Sequence, residues 1–312
     1  MDALITVVVP VFGIVLTGYL AGRADILGPE SAAALNLYVY YFALPPVLFV
    51  FTARAPIDQV LNGPFIGAFL GGSAITLVLA LIVGRLWLRL DADALSVHGL
   101  AAVFANTAYM GIPLFLTAFG PQGALPAIVG TLAATTVLIG GAIAALESTR
   151  VAGPSLVRIV SQVSATLMRN PILVAPLLGI AFSRLSLPIP KPAGNFLDLL
   201  AASAGPAALF ALGLSLVGRR LLGHAAEIAW LVVLKLIVHP AVTWLLVTYV
   251  FEMPPLWARS AIMLSALPAG ALVFVIAQKY DVYVQRASAA IIVSTVLSVA
   301  TISLLLIVLV PG

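Results

Sequence analysis

Two stretches decide how this chain folds: HGLAAVFANTAYMGIPLFLTAFG at 98–120 and ARSAIMLSALPAGALVFVIAQKYD at 258–281. Each is an apolar run long enough to cross a bilayer as a helix, which takes about 20 residues. Each also carries helix breakers near its middle, Gly111 and Pro113 in the first, Pro268 and Gly270 in the second. Proline lacks the N–H and clashes with the preceding turn, and glycine weakens what is left. Unpaired main-chain groups are costly in hydrocarbon, so such breaks survive only against protein or a wet cavity. Two broken spans in one chain therefore predict half-helices that cross in mid-membrane. Their positive N-terminal ends then point at the crossing, which suits an anionic ligand. The plainer alternative is a pair of simple proline kinks.

The rest of the chain is equally apolar. Of 312 residues, 62% are hydrophobic and 8% charged, against roughly 45–50% and about 25% in soluble domains. That excludes a soluble enzyme and a disordered chain. Fifteen basic against eleven acidic residues leave only +4, so no basic face for nucleic acid is expected. The apolar runs are far longer than the strands of a membrane barrel, about ten residues each. There is no cysteine, hence no disulfide, thiolate metal site or cysteine nucleophile. The three histidines are too few for a His-rich metal site, and no cofactor is implied. Met1 to Leu20 lacks a basic leader and reads as a retained first span.

Dividing the chain at clusters of charge, Pro and Gly gives ten spans: 4–22, 33–53, 64–88, 97–119, 123–146, 170–187, 194–217, 226–250, 257–279 and 286–310. The connection 147–169 has Leu156, Ile159, Val160, Val163 and Leu167 at helical spacing and reads as an amphipathic interfacial helix or an extension of the sixth span. Arg23, Arg85, Arg89, Arg150, Arg158, Arg169, Arg219, Arg220, Lys279 and Arg286 collect on one side. Arg54, Arg184, Lys191 and Arg259 collect on the other. The first side is then cytoplasmic and both termini face outward. The fold class expected is an all-α polytopic membrane protein.

Two halves are visible, 1–146 and 170–312. LNLYVYYFALPPVLFVFTA at 35–53 compares with NFLDLLAASAGPAALFALGLS at 195–215, which sets Pro46 opposite Pro206. Gly111 falls opposite Gly270 and Thr131 opposite Thr295, at similar offsets. Five spans per half make the repeats inverted, an architecture of many secondary transporters. Compositional coincidence is the alternative.

Polar side chains gather beside the first break: Asn106, Thr107 and Tyr109. Asn106 carries both an amide donor and an acceptor and is the foremost ligand candidate. Its bland alternative is an interhelical hydrogen bond, worth about 0.6 kcal/mol on average. Ser265 precedes the second break, which comprises Pro268, Ala269 and Gly270. Pro45, Pro46 and Pro206 are placed to wrap the crossing from the sides, with Tyr40 and Tyr41 nearby, which are equally read as packing or interface-belt residues. Lys235 and His239 share a face inside the eighth span. Ionisable groups at depth are costly and often functional. Lys235 either draws an anion inward, acts as a titratable coupling switch, or bonds broken-helix carbonyls. No carboxylate pair for ion coupling is visible.

LNLYVYYFALPPVLF at 35–49, NTAYMGIPL at 106–114, RNPILVAPLLGI at 169–180 and LPAGALVFVIAQKY at 267–280 resemble the auxin efflux carrier family, which includes the plant PIN carriers and bacterial malonate or malate permeases. The resemblance covers essentially the whole chain. It implies ten helices in two inverted repeats, similar to bile-acid symporters and sodium/proton antiporters. Spans 1, 2, 6 and 7 would form a scaffold, and spans 3–5 and 8–10 a transport domain with an elevator-like motion. It also implies ligand contact by Asn106, crossings at Pro113 and at Pro268 to Gly270, and a dimer through the scaffold. The linker near 147–169 is short, as in bacterial relatives.

The expectation is a carrier of a small organic anion, a carboxylate, dicarboxylate or auxin-like weak acid, in a bacterial inner membrane. The alternatives are an ion-coupled symporter of another organic solute and a channel-like pore. No serine, aspartate or metal-protease motif points to an intramembrane enzyme.

Overall fold

The computed structural model describes residues 4–56, 60, 62–150, 156–218 and 224–309. Arg219 and Arg220, counted above in the loop charge, lie outside the described residues, as do the side chains of Arg150, Leu156 and Arg158. Among the described residues there is no strand. In chain order the helices are α1 (Thr6–Arg23), α2 (Pro29–Arg54), α3 (Gly63–Leu86), α4 (Ala92–Val103), α5 (Thr107–Phe119), α6 (Pro121–Thr149), α7 (Leu156–Met168), α8 (Pro171–Arg184), α9 (Lys191–Ser215), α10 (Ala225–Tyr249), α11 (Pro255–Ser265), α12 (Leu272–Tyr280) and α13 (Val284–Leu309).

Seven of these, α1, α2, α3, α6, α9, α10 and α13, are long and apolar enough to cross a bilayer. An eighth span results if Ile159–Met168 and Pro171–Arg184, bent by 76° at the joint, are taken together. The other expected spans are the interrupted ones, α4 with α5 and α11 with α12.

The helix starts are written in local chemistry. Asn62 accepts the Phe65 N–H at 3.0 Å, Asp91 the Ala94 N–H at 2.8 Å, and Asn170 the Ile172 N–H at 3.0 Å. Each side chain satisfies a donor with no partner inside its helix. Pro29, Pro64, Pro121, Pro171 and Pro255 sit in first turns, where a missing N–H costs nothing.

The prolines further in behave differently from the sequence expectation. Wide π-type turns span Val39–Ala43, Thr107–Gly111 and Leu234–Val238, and each stands just ahead of a proline: Pro45, Pro113 and Pro240. A π-turn adds one residue, so the carbonyl that the ring would strike moves out of register. The helix therefore runs on through Gly111 and Pro113, and these residues do not interrupt the fourth span. The interruption lies upstream, at Phe104–Asn106. Helix α9 likewise continues through Pro206.

Helix α6 runs past 146, because Thr149 bonds Asp93 and Glu147 accepts the Tyr280 hydroxyl at 2.7 Å. The connecting helix α7 packs Val163 and Leu167 toward Gly140, but Val160 points outward.

The molecule is polar inside and apolar outside relative to a soluble protein. Ser73, Thr76, Thr243, Ser260, Ser265, Ser294, Thr295 and Ser298 are buried, whereas Ile75, Val78 and Ile82 of α3 and Val296, Leu304 and Val308 of α13 face outward. Those rows match a lipid environment, and the buried hydroxyls other than that of Ser260 bond within the bundle. Thr131 and Thr295 do so identically, to the carbonyls of Ala127 and Ile291 four residues back.

Close glycine contacts tie α1 to α9: a Cβ on Gly18 would strike the Phe210 carbonyl, and one on Gly213 the Val15 carbonyl. Gly179 of α8 packs equally tightly on Phe49 and Thr52 of α2. Asn36–Ser215 and Tyr38–Ser203 hydrogen bonds and the Arg54–Asp198 ion pair then join α2 to α9. A second set of ties links α3, α4, α6, α10, α11 and α13, through Gly72 on Thr243, Gly84 on Leu95, Gly130 on Leu264 and the buried clusters described below.

Overpacking a close contact typically costs about 1–3 kcal/mol, more than the roughly 0.5–1 kcal/mol that alanine gains over glycine in a helix. Gly213→Ala should therefore lower the thermal midpoint of the purified protein. Gly13→Ala, whose Cβ meets nothing within 4 Å, should leave it unchanged or raise it.

Candidate binding site at the paired helix breaks

The interruptions of 92–119 and 255–280 meet. The Asn106 N–H donates to the Pro268 carbonyl at 2.9 Å, and the Gly270 N–H donates to the Phe104 carbonyl at 2.9 Å. Ala105 and Ala269 thus face each other in an isolated antiparallel bridge. Each break supplies the partner that the other lost, as buried main-chain groups require. Glycine is needed at 270, because a Cβ there would lie 2.7 Å from the Phe104 ring and 3.1 Å from the Ala105 carbonyl oxygen. Ser294 of α13 steadies the second break by accepting the Ala269 N–H at 3.1 Å.

Asn106 sits at the centre of this pairing. Its side chain is buried, with 4% of the residue exposed, and its Nδ2 finds no partner among the described residues. A buried amide donor without an acceptor costs about 1–3 kcal/mol, and His98 Nε2, Thr135 Oγ1, Trp230 Nε1 and Ser260 Oγ share that condition elsewhere in the bundle. Helices α5 and α12 begin at the breaks and bring the positive ends of their dipoles to the same place.

The other expected site residues divide. Thr107, Gly111, Pro113, Ser265, Pro268, Ala269 and Gly270 are buried at or beside the crossing. Gly111 packs under Leu267, and Pro113 faces Gly205 of α9. Tyr109 is half-buried and reaches away, its hydroxyl donating to the Asn36 carbonyl at 3.3 Å. Tyr41 and Pro206 are exposed, Tyr41 by 53%, with its ring edge-on to Tyr40. They lie on outward faces of their helices. Tyr40 is spent on Asn170, whose Oδ1 accepts its hydroxyl at 3.1 Å. Pro45 is half-buried in the turn after the wide turn of α2.

Lys235 and His239 are fully inside. Lys235 Nζ donates to the Ser265 carbonyl at 2.6 Å and lies 3.1 Å from His239 Nδ1. His239 Nε2 lies 3.1 Å from the Ser73 hydroxyl, which donates to the Phe69 carbonyl at 2.9 Å. The bond to a broken-helix carbonyl, one of the readings open to Lys235, is present. Ser73 was missed in the sequence because a lone serine in an apolar helix carries no signal.

A second buried cluster was also missed. Glu227, at the start of α10, is held by the Tyr283 hydroxyl, by Arg286 at 3.1 Å and by His98 Nδ1 at 3.4 Å. Burial, and then the Glu227 carboxylate, push the Tyr283 hydroxyl well above its ordinary range, so it remains a donor. This cluster joins the starts of α4, α10 and α13. A cleft of about 480 Å³ lies elsewhere, lined by Arg54, Gln122, Pro126, Asp198 and Trp257. It gathers the end of α2 and the starts of α6, α9 and α11. Among the described residues no group of three histidines or acids is placed to hold a metal.

A family model described as "Membrane transport protein" matches residues 3–306. The chain belongs to that family, which is the auxin efflux carrier family. A protein of Rhizobium meliloti (strain 1021), provisionally named a malonate transporter, is 32% identical over 301 residues, covering 96% of this chain and 93% of that one. An uncharacterized transporter of Methanothermobacter thermautotrophicus is 28% identical over 303 residues, covering 95% of each chain. The uncharacterized transporter YfdV of Escherichia coli (strain K12) is 26% identical over 306 residues, covering 94% of this chain and 93% of its own. The chain is therefore a multi-pass membrane transporter.

Glu227→Gln replaces the buried carboxylate with an amide that cannot serve Tyr283 and Arg286 equally. It should cost about 2 kcal/mol, the scale of a hydrogen bond to a charged group, read as a fall in the thermal midpoint.

Proposed function

We propose that the protein is a secondary carrier of a small organic anion, a short dicarboxylate of the malonate kind, working by elevator-type alternating access in a bacterial inner membrane. The observation that carries this reading is the unpartnered Asn106 amide, buried where two main-chain breaks bond each other and two helix N-termini begin. A carboxylate accepts hydrogen bonds only and meets that donor set. The relative provisionally named a malonate transporter supports a small dicarboxylate within that class.

The reading includes ten spans in two inverted repeats. Support comes from which ends cluster. With ten alternating spans, the end of the second and the starts of the fifth, seventh and ninth share one side, and these line the cleft around Arg54. The starts of the fourth, eighth and tenth share the other side, and these hold Glu227. Ala105 opposite Ala269 repeats the spacing of Thr131 to Thr295. The scaffold is α1, α2, α8 and α9, and the transport domain is α3–α6 with α10–α13. Support for that division is the grouping of polar ties: the side-chain bonds named above stay within one set or the other, except Tyr109 to Asn36. Weak polar linkage lets one body slide past the other.

Uptake of labelled malonate into proteoliposomes should saturate, and Asn106→Ala should lower it by about tenfold or more, the loss expected when a hydrogen bond to a charged ligand is removed. Unchanged uptake in the variant would remove the site. Because the chain has no cysteine, single cysteines report topology. Ser186→Cys and Glu252→Cys should react with an impermeant maleimide on intact cells, and Asp25→Cys and Asp281→Cys should react only after permeabilisation.

A further inference from the structure

We propose that the Lys235 ammonium is the built-in counter-cation of the second helix break, holding the position an alkali cation would otherwise take, so that this carrier runs without sodium. The inference rests on the carrier reading above and concerns what energises the same site.

Helix α11 ends at Ser265, and its last carbonyls carry the negative end of the helix dipole. In broken transporter helices, such carbonyls are places where a coupling cation binds. Here the chain covers its own. The Ala266 N–H bonds the Ile262 carbonyl and the Leu267 N–H the Leu264 carbonyl. The Ser265 carbonyl receives Lys235 Nζ at 2.6 Å.

The neighbouring donors and acceptors fix the rest. The Ser73 hydroxyl donates its proton to the Phe69 carbonyl, so toward His239 it accepts. His239 then carries its proton on Nε2, and Nδ1 presents a lone pair to Lys235. The two ligands that a cation would find here, a main-chain carbonyl and an imidazole nitrogen, are thus both occupied by N–H groups of Lys235. The buried carboxylate of α10, Glu227, lies eight residues before Lys235 in the sequence, about 12 Å along the helix at 1.5 Å per residue. It is held by Tyr283, Arg286 and His98, and so does not neutralise the ammonium. The Lys235 N–H groups thus satisfy these acceptors without any ion being carried.

The test compares malonate uptake by proteoliposomes in sodium chloride and in choline chloride. Wild-type uptake should be the same in both. Lys235→Ala should slow uptake in choline by about tenfold and recover part of it in sodium, within the usual range of coupling factors. Sodium should also raise the melting temperature of Lys235→Ala and leave that of the wild type unmoved. A structural role alone would lower the melting temperature without creating a sodium response. Lys235→Gln, which keeps a donor for the Ser265 carbonyl and removes the charge, serves if the alanine variant does not fold. A sodium requirement in the wild type overturns the proposal, and so does a folded variant indifferent to sodium. If malonate neither stabilises the wild type nor is taken up, the substrate reading fails, while the sodium response of the variant's melting temperature still decides this one.

Discussion

The reciprocal main-chain pairing of Phe104–Asn106 with Pro268–Gly270 is the constraint on which the rest depends. Inside an apolar bundle, a helix cannot stop without leaving N–H and C=O groups stranded. Two stops placed back to back resolve most of that cost for each other. What remains is resolved locally, by Ser294 on the Ala269 N–H and by Lys235 on the Ser265 carbonyl. The Asn106 amide is the group this arrangement leaves without a partner. The candidate site is therefore defined by the remainder of a hydrogen-bond count.

Around that centre the molecule separates its chemistry. Apolar rows face outward, and short hydroxyl side chains bond inside. Glycines set the closest helix approaches, α1 on α9 and α8 on α2, because only hydrogen fits between the backbones. Polar cross-links gather into two sets, bridged by the Tyr109 hydroxyl and the Asn36 carbonyl. Between the two sets lie small-residue contacts such as Gly205 against Pro113.

Proline is where local reasoning misled. Pro113 and its neighbour Gly111 look like the natural place for a helix to fail. A wide turn at Thr107–Gly111 absorbs the ring instead, as similar turns do ahead of Pro45 and Pro240. The failure falls at Phe104–Asn106, residues with no breaker among them, because that is where the partner break supplies compensating bonds. Tyr41 and Pro206, grouped with the crossing by their position in sequence, are exposed.

By itself, the sequence determined the solvent and the material. A chain 62% hydrophobic and 8% charged has too few charges to face water, and its apolar runs have the length of bilayer helices. It also pointed to a break at Pro268 to Gly270, where helix breakers do interrupt the chain, but it put the first break at Gly111 and Pro113, where the helix continues. Only the tertiary structure decided where the interruptions fall, that they bond one another, and that Lys235, His239 and Ser73 converge on the end of α11. It alone decided that Glu227 lies beneath Tyr283 and Arg286. Those outcomes join residues far apart in the chain. They are set by which unpaired groups packing brings within hydrogen-bond reach, and no local pattern of apolar residues encodes that.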